Sequence, residues 1–175
     1  MENSINIVHE VTSFKARVNY HIQIFIGAIS VFGLLFFFGK NQNNFLLFIS
    51  IVALLFGILI GSKIYKNRLY LADFCSDSNT VKIVYFDCSE EQKLETTIDN
   101  VAVKLKETTS KSNFNFELIL IINDLKFTVE KTFDWNFTEM KNVFGYIRFH
   151  NNVPLTDKEK YLVKRIEEYI KKVPF

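Results

Sequence analysis

The sequence predicts a membrane α-helical hairpin followed by an α+β domain built on an antiparallel sheet. Three observations carry that expectation. Residues 22–38 and 45–61 form two apolar runs of seventeen residues each, free of Lys, Arg, Asp and Glu and separated by six polar residues. After Ser62 the pattern changes to short alternating segments rich in β-branched and aromatic side chains, and two amphipathic stretches close the chain. As helix, seventeen residues extend roughly 26 Å, close to the thickness of a bilayer's hydrocarbon core. The expected division is an N-terminal amphipathic segment over 1–20, a two-helix hairpin over 21–61, and a cytoplasmic domain over 62–175.

In the N-terminal segment Ile7, Val11, Phe14 and Val18 recur at helical spacing. This suits either a helix lying in the membrane interface or one packed on the following domain. In the second apolar run Ala53, Gly57 and Gly61 repeat every fourth residue, which aligns small side chains on one helix face. Such a row lets backbones approach closely, either between the two helices of one chain or between copies in a homo-oligomer. No ionisable side chain other than His21 touches either run, which disfavours an ion-coupled transporter and favours a passive anchor.

Charge supplies an orientation. Lys15 and Arg17 precede the first run, Lys63, Lys66 and Arg68 follow the second, and the connecting loop holds only Lys40. The positive-inside rule then puts both termini in the cytoplasm, as an integral protein of a bacterial inner membrane. Lys63, Lys66 and Arg68 would meet anionic headgroups of the lipid bilayer at the cytoplasmic exit. Cys75 and Cys88 would face a reducing compartment, where a structural disulfide is not expected. Of the 21 Lys and Arg, three precede Ser62, and of the 19 Asp and Glu, two do, leaving 18 against 17 in the domain. That balance offers no basic face for nucleic acid.

Within the domain, residues 69–75 and 81–88 read as strands joined by a turn at Ser76-Asp-Ser-Asn79. Residues 94–98 suit a short strand, and Val101, Val103 and Leu105 alternate with Ala102, Lys104 and Lys106 as in a strand with one wet face. A hairpin follows over 114–133. A two-residue turn at Asn123-Asp124 places Ile122 opposite Leu125, Leu120 opposite Phe127, Leu118 opposite Val129 and Phe114 opposite Phe133. Phe137, Met140, Phe144 and Ile147 share a helical face behind Asn136 and Glu139, a cap and its partner. Thr156 and Glu159 repeat that pattern ahead of Leu162, Ile166, Tyr169, Ile170 and Val173. Five or six strands followed by helices, without βαβ alternation, indicate an α+β or barrel-like domain.

The order of elements resembles the bacterial membrane-anchored PH-like proteins, in which a two-helix hairpin precedes a small curved sheet and a terminal helix. The stretches Asn67-Arg-Leu-Tyr-Leu71 and Ile98-Asp-Asn-Val-Ala-Val-Lys-Leu105 carry the likeness, which extends over about 22–173. It implies a PH-like curved sheet or partial barrel that serves as a non-enzymatic module for a protein or lipid partner. The same order also looks like the two-transmembrane β-domain effectors that sense a cyclic nucleotide and disrupt a membrane. An accessory subunit of a membrane complex is a third expectation.

Motifs for chemistry are sparse. After Gly61 the chain has one glycine, Gly145, so phosphate-cradling loops and nucleophile elbows are absent. His9, His21 and His150 are scattered and the two cysteines do not form a CxxC pair, so no metal or cofactor site is expected. Asp73, Asp77, Asp87, Glu90 and Glu91 flank turns, where acidic residues are ordinarily solvated. Trp135 reads as a core or sheet-edge aromatic. The sequence therefore assigns no catalytic residue.

Overall fold

The computed structural model describes residues 4–37, 45–66, 68–77, 79–108, 115–131 and 134–172, and the chain divides into two compact units. One unit is Thr12–Arg68; the other combines Met1–Val11 with Leu69–Phe175.

The first unit contains α1 (Phe14–Phe37) and α2 (Phe45–Lys66), which pack on each other through contacts that include Phe25 against Phe56 at 5.8 Å between ring centroids. Among the described residues, no helix is long and apolar enough to cross a membrane. The first turns of α1 carry Lys15, Arg17, Asn19, His21 and Gln23, and Arg17 folds back to donate to the Thr12 carbonyl at 2.6 Å. This corrects the expected membrane hairpin with spans over 22–38 and 45–61. The integral inner-membrane placement with both termini cytoplasmic falls with it.

The second unit is α+β. A four-stranded antiparallel sheet has the order β1 (Ser4–Ile7), β2 (Leu69–Asp77), β3 (Thr80–Asp87), β4 (Glu90–Thr97). A three-stranded antiparallel sheet follows, β5 (Val101–Glu107), β6 (Phe116–Ile122), β7 (Leu125–Glu130). The two sheets meet where β2 runs beside β7. A 3-10 turn over Ile98–Asn100 separates β4 from β5, so the strands form two sheets and not one curved sheet.

The predicted hairpin register holds for its described part: Ile122 pairs with Leu125, Leu120 with Phe127 and Leu118 with Val129. Asn123 and Asp124 both take left-handed geometry, φ 47° and 67°, as a two-residue turn between twisted strands requires. The expected Phe114–Phe133 pair lies outside the described residues. The alternation in β5 is also observed, with Val101, Val103 and Leu105 buried and Ala102, Lys104 and Lys106 exposed.

Residues 4–7, read in the sequence as part of a helical segment, instead form β1 and pair with β2 from Ser4↔Asp77 to Ile7↔Phe74. Their apolar–polar alternation fits an edge strand, and sheet pairing overrides the longer helical spacing. β4 is longer than the strand expected at 94–98 because its exposed charged residues carry no apolar signal; Lys82–Glu95 and Lys93–Glu91 pairs line it.

Helices α3 (Phe137–His150) and α4 (Asp157–Lys172) close the unit. Asn136 and Glu139 form a reciprocal capping box on α3, and Thr156 and Glu159 do so on α4, where the Thr156 N–H donates to Glu159 at 2.9 Å. Met140, Phe144, Ile147, Leu162 and Ile166 pack into one core with the inner faces of both sheets. Phe137 bridges Phe116, at 4.5 Å, and Tyr169, at 5.3 Å, between ring centroids.

Candidate functional site

The α+β unit carries an open groove of about 360 Å³ between β1, α3 and α4. Ser4 and Ile5 of the edge strand form one wall. The outer face of α3 forms the floor with Lys141, Asn142, Gly145 and Phe149, while Leu155, Val163 and Glu167 form the far wall. Helical geometry explains the floor: residues 141, 145 and 149 are four apart and stack along one line, opposite the core face of 140, 144 and 147. The centre is apolar. At its rim Lys141 Nζ lies 3.2 Å from Glu167 Oε1, which ties α3 to α4 across the groove. Phe149, at the end of this line, is 55% exposed.

β1 is held in place beside this groove by an anchor centred on His9. A bulge in β2 between Leu71 and Asp73 releases backbone groups from the ladder. Three of them, or their side chains, serve the anchor. His9 Nδ1 donates to the Ala72 carbonyl at 2.8 Å, the His9 N–H donates to Asp73 Oδ1 at 3.2 Å, and the Trp135 indole donates to the Leu71 carbonyl at 2.8 Å. The His9 ring lies 4.9 Å from the Trp135 ring, and its Nε2 stands 3.2 Å from Glu139 Oε2, the same oxygen that caps α3 through the Asn136 N–H. Trp135 is thus a core aromatic, 3% exposed.

A second polar node joins α3 to α4. Arg148 pairs with Glu159, whose carboxyl also accepts from the Thr156 N–H and hydroxyl, each at 2.9 Å. Burial pushes the Glu159 carboxyl up, but the Thr156 bonds and the Arg148 charge outweigh it and hold the group below the ordinary carboxylate range. Arg165 pairs with Glu107 and fastens α4 to β5.

The residues singled out in the sequence do not converge. Ala53 is half-buried and Gly57 and Gly61 are exposed in α2, and a Cβ built on either glycine would meet no atom within 4 Å. Arg68 is exposed, with its N–H donating to the Tyr65 carbonyl at 3.2 Å, while the side chains of Lys63 and Lys66 lie outside the described residues. Cys75 and Cys88 are free thiols. Burial, reinforced by the Asp73 charge, pushes the Cys75 thiol up despite a backbone bond from Ile7, and its Sγ donates to Asn6 at 2.7 Å. Among the described residues, no three His, Cys, Asp or Glu side chains are placed to hold a metal ion. The groove and the His9 anchor escaped the sequence reading because their parts lie far apart in the chain. The only local sign was Gly145, an isolated glycine inside a helical pattern.

No family model, curated protein or solved structure matches the chain. No PH-like fold is identified, and the PH-like assignment drawn from the order of elements is withdrawn with the curved sheet.

Proposed function

We propose that the α+β unit is a non-enzymatic protein-interaction module and that the groove between β1, α3 and α4 is its docking surface. The observation that carries this reading is the open apolar groove, walled by Ile5, Leu155 and Val163 and bordered by the exposed Phe149. A concave apolar surface flanked by a few polar groups is what a partner's side chains fill, and aromatic residues are enriched at such contacts. The alternative of cyclic-nucleotide sensing needs cations free to meet phosphate. Among the described lining residues the one cation, Lys141, is already engaged by Glu167.

Site-specific photo-crosslinking in cells tests the reading. A photo-reactive residue at Asn142, in the groove, is expected to give a discrete protein adduct, and one at Gln92 on β4 is not. Equal labelling at both positions, no adduct at Asn142, or substrate turnover by the intact chain defeats the proposal.

A further inference from the structure

His9 presents both of its ring nitrogens to acceptors. Nδ1 lies 2.8 Å from the Ala72 carbonyl oxygen, and Nε2 lies 3.2 Å from Glu139 Oε2. Neither oxygen is a donor: one belongs to a peptide, and the other already accepts from the Asn136 N–H at 2.9 Å. A neutral imidazole has one N–H and one lone pair, so either tautomer sets a lone pair against an oxygen. With the proton on Nδ1 the repulsion falls at the Glu139 carboxylate. With the proton on Nε2 it falls at the carbonyl of the fully buried Ala72. The imidazolium, with two N–H groups, satisfies both acceptors. The His9 side chain is 9% exposed, which leaves little room for water to replace a lost partner.

The charged groups that face His9 among the described residues are both carboxylates. One is Glu139 from α3; the other is Asp73 from β2, whose Oδ1 accepts the His9 main-chain N–H at 3.2 Å. The Trp135 ring lies 4.9 Å away between centroids, inside the roughly 6 Å over which an aromatic ring attracts a cation. Histidine is the side chain that changes charge between about pH 5 and 8. We propose that the His9–Glu139 contact is a proton-operated latch, closed when His9 is an imidazolium, which sets how firmly β1 is held to α3. The sign follows from the proton count. The latched form carries one proton more, so the hold on β1 is full at the acidic end of that range and is lost as pH rises. Nδ1 keeps its bond to Ala72 after deprotonation, so β1 loosens without detaching from β2. The latch acts on β1 whether or not a partner occupies the groove.

The test uses the full chain. Long-range 1H–15N correlation spectra are expected to show both His9 ring nitrogens protonated at about pH 5.5 and Nε2 bare at about pH 8.5, with His9→Gln assigning the signals against His21 and His150. Amide protection at Ile5 and Ile7 is read at the same two pH values, corrected for intrinsic exchange and referred to Leu120 in β6. It is expected to fall about two- to five-fold as pH rises, the range of an ion pair with one partly exposed member. In His9→Gln and Glu139→Ala that fall should be absent, because β1 is then equally loose at both values. A bare His9 ring nitrogen at the acidic value overturns the latch, as does protection in the native chain that does not change with pH. A fall of the native size in Glu139→Ala overturns it too, since the pH response would then come from another group. If either variant fails to fold, the ring spectra and protection of the native chain still decide.

Discussion

Replacing His9 with alanine should loosen one wall of the groove by a predictable amount. Three contacts are lost. The Ala72 carbonyl, in a residue with 0% exposure, loses a donor at 2.8 Å, and a buried acceptor left without its partner costs about 1–3 kcal/mol. The tilted ring contact with Trp135 contributes about 0.5–1.5 kcal/mol. The link to Glu139 adds less, about 0.2–1 kcal/mol, because that carboxylate is 27% exposed and keeps its bond from the Asn136 N–H. Contacts sharing one ring do not add fully, so the expected loss is about 2–4 kcal/mol. Trp135 is the chain's single tryptophan and touches the ring itself, so its emission during urea unfolding reports the change directly. Amide exchange should rise most at Ile5 and Ile7, on the strand that His9 anchors. His9→Gln, which can keep one hydrogen bond, should fall between alanine and the native residue. A loss under about 0.5 kcal/mol, or faster exchange spread evenly over both sheets, would refute the anchor.

Glu159 sets a pH dependence. Its folded carboxyl is held below its ordinary value of 4.5, so the stability it contributes is present above that value and is lost as pH falls through the lower folded value. The Tm difference between the native chain and Glu159→Gln should therefore shrink on acidification below about pH 4.5; a difference independent of pH contradicts the assignment. Asp124→Gly should raise stability slightly in thermal melts, because φ is 67° there and relief of roughly 1–2 kcal/mol of left-handed strain outweighs about 0.4–1 kcal/mol of added unfolded-state entropy. Leu120→Ala should cost about 2–5 kcal/mol in urea titration, since Leu120 is fully buried between Val103 and Phe127; a loss below 1 kcal/mol would mean the central strand is misplaced. Cys75, with its thiol pushed up, should react with iodoacetamide at pH 8 more slowly than free cysteine, and an equal rate would contradict its burial.

Features encoded locally were legible, and features that depend on distant partners were not. The β6–β7 register could be read because each apolar residue specifies a face and Asn-Asp suits a two-residue turn. Both helix starts could be read because a capping box is a four-residue signal, and both boxes form. β1 could not, since an edge strand of four residues is defined by its neighbour, and Phe74 and Ser76 stand some seventy positions away. β4 was shortened for a related reason: its Glu-Glu-Gln-Lys start is polar on both faces, which protects an open sheet edge but erases alternation. The apolar runs misled differently. Length and lack of charge predict two spans, whereas among the described residues no helix is long and apolar enough to cross a membrane.

The candidate site sharpens that contrast. The sequence marks four residues of the His9 anchor only by local roles: His9 as a scattered histidine, Asp73 as a turn carboxylate, Glu139 as the partner of a cap, Trp135 as a core or sheet-edge aromatic. Each of those readings describes one bond, and the bulge at Ala72 is what joins them, because it turns a carbonyl out of the ladder toward the ring. Glu139 then serves two ends at once, with one oxygen capping α3 and holding His9. The start of the helix that floors the groove and the strand that walls it are therefore fixed by the same carboxylate. A substitution at Glu139 should uncap α3 and free β1 together, whereas Asn136→Ala should uncap α3 and leave β1 protected from exchange. Matched exchange in the two variants would show that the anchor does not couple them.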